Sequence, residues 1–286
     1  MAGTAELADG IWLKREDEHE LGAFKWRGAL ATLEAKRPDV VVTASTGNHG
    51  AATAWAARRL GVRAVVFVPH GASRSKVALI EAQGGADLRF EGNDMDEAKA
   101  AARTHAAETG AFFFEDGAEP AQFDGYEQIG HELLDDLPEP AAVVVPVGNG
   151  ALAIGVFRAL AARAPAAQRT AVAAAEAPAM FESWRAGEPR DADRCSTFAD
   201  GLAVRVAIPL AVRELNALAH RFELVSEEEL EDAVRRYAGH GIRVEGAAAA
   251  PLALALREEL PRPLVLIVTG RNVDDALYNR ILTSAA

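Results

Sequence analysis

Ala142-Val143-Val144-Val145-Pro146-Val147-Gly148-Asn149-Gly150-Ala151 sets the reading of the whole chain. The run from Ala142 to Val147 is apolar throughout and leaves no polar face. Such a run fits a strand covered on both sides, as in a parallel sheet. Gly148 and Gly150 then break it, and residues 151–164 have helical composition. Strand, glycine turn and helix in that order make half of a βαβ unit.

The same alternation extends in both directions. Upstream, Val40–Ala44 is an apolar run, followed by a helix over Asn48–Leu60 that stops at Gly61. Arg63–Pro69 reads as a strand, Ser75–Gln83 as a helix ended by Gly84-Gly85, and Asp87–Phe90 as a weaker strand. Asp94–Thr109 reads as a helix closed by Gly110, then Ala111–Phe114 as a strand. Terminal glycines suit left-handed C-caps. Downstream, Ala171–Ala175 is a strand candidate, and Ser226-Glu227-Glu228-Glu229 matches a capping box before a helix over Leu230–Tyr237. Pro263–Val268 is a final buried strand and Val273–Leu282 a final helix. Residues 187–203 are the least regular stretch. The pattern predicts an α/β fold with mainly parallel sheets. No repeat of fixed period and no low-complexity linker interrupts it.

Composition narrows the function. A net charge of -12 gives no footprint for nucleic acid or an anionic membrane surface. The single cysteine, Cys195, excludes an internal disulfide framework and a cysteine-rich zinc site, and fits a reducing compartment. No apolar run reaches the roughly 20 residues that span a bilayer, and the first ten residues lack the features of a signal peptide. These observations predict a cytoplasmic protein.

Parallel α/β sheets bind ligands beyond the carboxyl ends of their strands. Three loops lie there. Ser45-Thr46-Gly47-Asn48-His49-Gly50 joins a strand to a helix, and its opening amides suit a carboxylate or phosphate. A helix cap and a tight turn account for the same residues. Gly148-Asn149-Gly150-Ala151-Leu152 lets backbone approach an anion closely, though a bare βα turn would look alike. It is not a Walker loop, because no Gly-Lys-Ser/Thr follows. Thr269 ends the last strand, where a hydroxyl also serves as a cap. Lys25 lies outside these loops, between the apolar Phe24 and Trp26. A lysine is ordinarily a solvated surface residue, but an amine among apolar groups becomes a better nucleophile toward an aldehyde.

In order along the chain, these segments resemble the fold-type II pyridoxal-phosphate enzymes, and among them the serine/threonine dehydratases, with serine racemase as a relative. Lys14-Arg15-Glu16-Asp17 and Ala23-Phe24-Lys25-Trp26-Arg27-Gly28-Ala29 match the opening motifs of that family. Ser45 to Gly50 matches its Ser-x-Gly-Asn-His-Gly, and Gly148 to Leu152 its phosphate loop. Thr197 to Gly201 and Val244-Glu245-Gly246-Ala247 resemble two further segments, and the match runs from about residue 11 to 275. The sequence departs from the pattern at Ala23, Tyr126, Asn149, Ala151 and Arg271, and its N-terminus is short.

The resemblance implies a tryptophan-synthase-β-like fold of two open parallel-sheet lobes. A large cofactor-binding lobe would comprise residues 1–39 and 125–286, and a small mobile lobe residues 40–124, with pyridoxal 5'-phosphate in the cleft. Lys25 would carry the cofactor as a Schiff base and, with Thr46, act catalytically. Phe24, Asn48, Gly148, Asn149, Gly150, Ala151, Leu152, Glu245 and Thr269 would bind the cofactor. Ser45, Thr46, Gly47, Asn48 and His49 would hold the substrate carboxylate. Some relatives bind a divalent cation, for which Glu176 and Glu182 are the nearest candidates. A homodimer is implied, and feedback control at an appended domain is not expected. The leading activity is dehydration and deamination of threonine, serine or hydroxyaspartate to a 2-oxo acid and ammonia. β-Replacement, ammonia loss from diaminopropionate and racemisation remain alternatives on the same scaffold, as does a non-catalytic relative.

Overall fold

The computed structural model describes residues 3–193 and 195–284. The chain opens with β1 (Thr4–Ala8) and β2 (Ile11–Arg15), then α1 (Lys25–Lys36), β3 (Val40–Ala44) and α2 (Asn48–Leu60). It continues through β4 (Arg63–Val68), α3 (Arg74–Glu81), β5 (Ala86–Phe90), α4 (Met95–Thr109), β6 (Phe112–Phe113) and α5 (Pro120–Asp136). Next come β7 (Ala142–Pro146), α6 (Ala151–Arg163), β8 (Gln168–Ala174), α7 (Ala179–Ala186) and α8 (Pro209–Leu218). β9 (Arg221–Val225), α9 (Glu227–Gly239), α10 (Gly246–Arg257), β10 (Leu264–Val268) and α11 (Asp275–Thr283) complete it.

The chain divides into two compact units. The first combines residues Met1–Phe24 with Tyr126–Ala286, and the second is the continuous stretch Lys25–Gly125. Helix α1 lies in this second unit, where its Trp26 meets Trp55 of α2 edge-on at 5.8 Å.

The first unit holds a six-stranded sheet ordered β1-β2-β10-β7-β8-β9. All neighbours are parallel except β1, which pairs antiparallel with β2 at one edge. β7 and β10 lie in the middle, and every residue of both is buried. The unbroken apolar run from Ala142 therefore sits where both faces are covered. Val144, Val172 and Leu266 of the sheet pack with Ala248, Leu252 and the rest of the buried α10.

The second unit holds a parallel sheet ordered β5-β4-β3-β6. Alternation along β4 sends side chains to opposite faces. Val65 and Phe67 pack on Ala102 and Ala106 of α4, whereas Val66 and Val68 pack on Ala51 and Ala54 of α2 and Ile80 of α3.

The strand expected over Ala111–Phe114 shortens to Phe112–Phe113, because only Val41 and Val42 of β3 pair with it. The strand expected from Ala171 starts earlier, at Gln168, where it runs beside Ala142 of β7. β1, β2, α1, α5, α7, α8, β9 and α10 are additions to the elements expected from sequence. Among the described residues, no helix is long and apolar enough to cross a membrane.

Candidate active site

Lys25 is the first residue of α1. Its Nζ lies 2.5 Å from Asp116 Oδ2, in the loop after β6. The other oxygen of that carboxylate, Oδ1, accepts from Gln122 Nε2 at 2.9 Å. Gln122 is fully buried, and its own Oε1 accepts the Gly117 N–H at 2.7 Å. The carboxylate is thus held from a second direction, independently of the lysine. Burial opposes its charge, but Lys25 and His49 outweigh that and hold Asp116 well below the ordinary carboxylate range.

His49 faces the same carboxylate, with Nδ1 3.6 Å from Asp116 Oδ1. Its ring lies against Phe114, centroids 4.6 Å apart. Nε2 sits 3.1 Å from Thr43 Oγ1 and 3.4 Å from the Phe114 carbonyl. Burial lowers the imidazole below its ordinary value of 6.5; Asp116 opposes this, and Lys25 and Lys99 add to it. Asp116 is absent from the residues singled out by sequence. The rule that ligands gather past the carboxyl ends of parallel strands points to its loop as well.

The turn of residues 45–49 runs into the first residues of α2 in the same unit. Ser45 N–H donates to the Phe67 carbonyl at 3.1 Å, and Ser45 Oγ accepts the Gly47 N–H at 3.2 Å. The bond from Ala51 N–H to the Gly47 carbonyl opens the helix. The amides of Asn48, His49 and Gly50 therefore precede the first complete turn. A Cβ on Gly50 would come within 3.1 Å of the Ser45 carbonyl, which keeps this corner tight. Ser45, Thr46, Gly47 and Asn48 are partly exposed, whereas the His49 side chain turns inward.

In the first unit, the glycine turn joins β7 to α6. A Cβ on Gly148 would lie 2.2 Å from the Gly201 carbonyl oxygen, so close backbone packing requires glycine there. Gly150 has φ +95°, in the left-handed region that favours glycine. Ala151 N–H donates to Asn149 Oδ1 at 3.1 Å, and Ile154 N–H makes the helical bond to the Gly150 carbonyl. Asn149 thus caps one amide with its own side chain and leaves those of Leu152 and Ala153 at the mouth of the helix.

Thr269 follows β10 and is only 2% exposed. Its hydroxyl donates to Glu245 Oε1 at 3.3 Å. Glu245 stands at the start of α10, and its N–H donates to the Gly270 carbonyl. Phe24 N–H donates to the Thr269 carbonyl at 3.0 Å, and the Phe24 ring tilts against Tyr126 at 4.9 Å. The residue before Lys25 is therefore pinned to the end of the strand that carries Thr269.

The cation expectation gains nothing. The Glu176 carbonyl accepts from Ser196 N–H. Among the described residues, no three His, Cys, Asp or Glu side chains gather as a metal set.

A pyridine aldehyde bearing a phosphate ester needs an amine, an anion cradle and a polar partner for its ring nitrogen. Lys25 supplies a partly buried amine, the α6 mouth supplies amides beside glycine, and Thr269 supplies a buried hydroxyl. Taken unit by unit, these residues have the chemistry that the group needs. The two open, mainly parallel sheets are those of a fold-type II pyridoxal-phosphate enzyme. Residues 2–270 match the sequence pattern of the pyridoxal-phosphate dependent enzymes, and the chain belongs to that family, in its serine/threonine dehydratase group. It is 33% identical over 286 residues to the L-threonine ammonia-lyase of Thermotoga maritima, covering 97% of this chain and 71% of that protein. The crystal structure of a threonine deaminase from T.th. is 31% identical with TM-score 0.89, covering 96% of this chain and 92% of that one. The processed form of threonine deaminase isoform 2 from Solanum lycopersicum gives TM-score 0.93 at 26% identity, covering 100% and 89%.

Proposed function

We propose that this chain removes water and then ammonia from a small β-hydroxy amino acid, with threonine the first candidate, to give a 2-oxo acid. The observation that carries the reading is Asp116. One carboxylate binds the Lys25 amine and lies 3.6 Å from Nδ1 of His49, the last residue of the anion-binding turn. A nucleophilic amine and a carboxylate-binding turn are thereby tied together within one unit. The relatives named above support threonine as the substrate.

When bound, pyridoxal phosphate supplies the aldehyde for Lys25 and the electron sink for the pair left at Cα. The amides of residues 45–49 hold the substrate carboxylate. The Lys25 amine would take the Cα proton, and the Thr46 hydroxyl would assist at the departing β-hydroxyl. Asn48 would hold the ring oxygen. Phe24 provides an apolar wall, and Gly148, Asn149, Gly150, Ala151 and Leu152 form the phosphate turn. Thr269 would offer the ring nitrogen the proton of a neutral hydroxyl, which in the chain alone lies 3.3 Å from Glu245 Oε1. A neutral partner makes a weaker sink than a carboxylate would, which favours reactions with a prompt leaving group over transamination. The single cysteine and the anionic composition support a cytoplasmic enzyme, and the family resemblance supports a homodimer.

The test is the absorption spectrum of purified protein beside Lys25→Ala, with 2-oxo acid measured from L-threonine, L-serine and L-threo-3-hydroxyaspartate. A visible cofactor band that Lys25→Ala loses, with oxo acid from one substrate, is the expected result. A band without oxo acid would move the assignment to β-replacement or racemisation. No band after adding pyridoxal phosphate would overturn it.

A further inference from the structure

The Thr43 hydroxyl has one proton, and it goes to the Phe114 carbonyl at 2.8 Å. At the 3.1 Å contact between Thr43 Oγ1 and His49 Nε2, the imidazole must therefore be the donor. With Nε2 protonated, a neutral His49 presents a bare lone pair at Nδ1. That atom is buried without a hydrogen-bond partner, 3.6 Å from an oxygen of Asp116. Two electron-rich atoms face each other, and a proton between them would join them.

We propose that Asp116 exchanges cationic partners: it pairs with Lys25 while that amine carries no cofactor, and with a His49 newly protonated at Nδ1 once Lys25 is engaged by the cofactor. The new Nδ1–H bond draws its proton from water, and no other bond in the protein breaks. Asp116 and His49 are then positioning residues, which keep a charged carboxylate in place for the returning Lys25 amine.

The surroundings set the balance. Burial is the largest influence and opposes the imidazolium, whereas Asp116, from the loop after β6, and the Phe114 carbonyl beside Nε2 favour it. Lys25 at the start of α1 and Lys99 of α4 oppose it, as does the N-terminus of α2, which carries His49. Lys99 is itself paired with Glu115, which also binds Arg103. From β3, Thr43 offers only its hydroxyl oxygen. Lys25 is the opposing cation that binds the same carboxylate, so its removal weakens the opposition and frees Asp116 together.

The consequence for catalysis rests on Lys25 as the cofactor lysine, but the exchange can be tested without the cofactor. The readout is ¹⁵N NMR of labelled histidine, with the His49 signal assigned from His49→Gln. Relative to unloaded wild type, Lys25→Ala should raise the protonation midpoint of His49 by about one unit or more. Adding Asp116→Asn to that variant should abolish the rise. Loading wild type with pyridoxal phosphate should reproduce it. An equal midpoint in unloaded wild type and Lys25→Ala would overturn the exchange. If Lys25→Ala does not fold, Lys25→Met, which keeps the length of the side chain without its charge, takes its place. A rise in Lys25→Ala without one on loading would leave the exchange standing and sink the reading of Lys25 as the cofactor lysine.

Discussion

A methyl group on residue 148 would press on the Gly201 carbonyl oxygen, and neither backbone segment has a flexible end to move aside. Gly148→Ala is therefore expected to cost about 1–3 kcal/mol, seen as a lower urea midpoint at unchanged slope. It should also weaken retention of pyridoxal phosphate, because relief must come from shifting the turn. Gly148, Lys25 and Thr269 are singled out in the sequence by the ordered family motifs that hold them, since each alone reads as a turn, a surface lysine or a cap. Asp116 is not, because its meaning lies in Lys25, 91 positions away. A carboxylate in a short polar loop looks like any solvated one until the fold supplies its partner. His49 reads only as part of the carboxylate turn, since nothing local says that its ring turns toward Thr43.

The elements legible in sequence are those with punctuation at their ends. Helix α2 closes on Gly61 at φ +70° and α4 on Gly110 at φ +69°, both in the left-handed region. Helix α9 opens with a reciprocal capping box, in which Ser226 Oγ accepts from Glu229 N–H and Glu229 Oε2 from Ser226 N–H. Ser226→Ala should lower stability by about 1 kcal/mol in thermal or urea unfolding, with cofactor absorbance unchanged. The elements that escape are those whose sequence argues against them. Helix α10 carries Pro251 and is buried from Gly246 through Leu254, so it shows no polar face to set a period. In α5, Gly125 and Gly130 imitate a loop. A Cβ at 125 would meet the Arg27 carbonyl at 2.5 Å, and one at 130 would meet Ala159 at 2.6 Å. Close helix packing, invisible in a single sequence, is what demands them.

At the scale of the whole molecule, alternating strand and helix signals are enough for the α/β class, because parallel sheets require a crossover between strands. Which strands become neighbours is not legible. Strand β2 pairs with β10, register Ile11 to Leu264, so segments far apart in sequence meet in one sheet. The second unit, by contrast, pairs only strands within Lys25–Gly125. Contacts distant in sequence form slowly. Pulsed hydrogen exchange during refolding should therefore protect amides of β3 and β4 before those of β2. The same pairing has a meaning during translation. On the ribosome, β2 emerges long before β10, so the first unit's sheet stays unfinished until that late strand follows. Throughout that interval, nascent chains carry an open strand edge that a chaperone can shield and a neighbouring polysome product can capture.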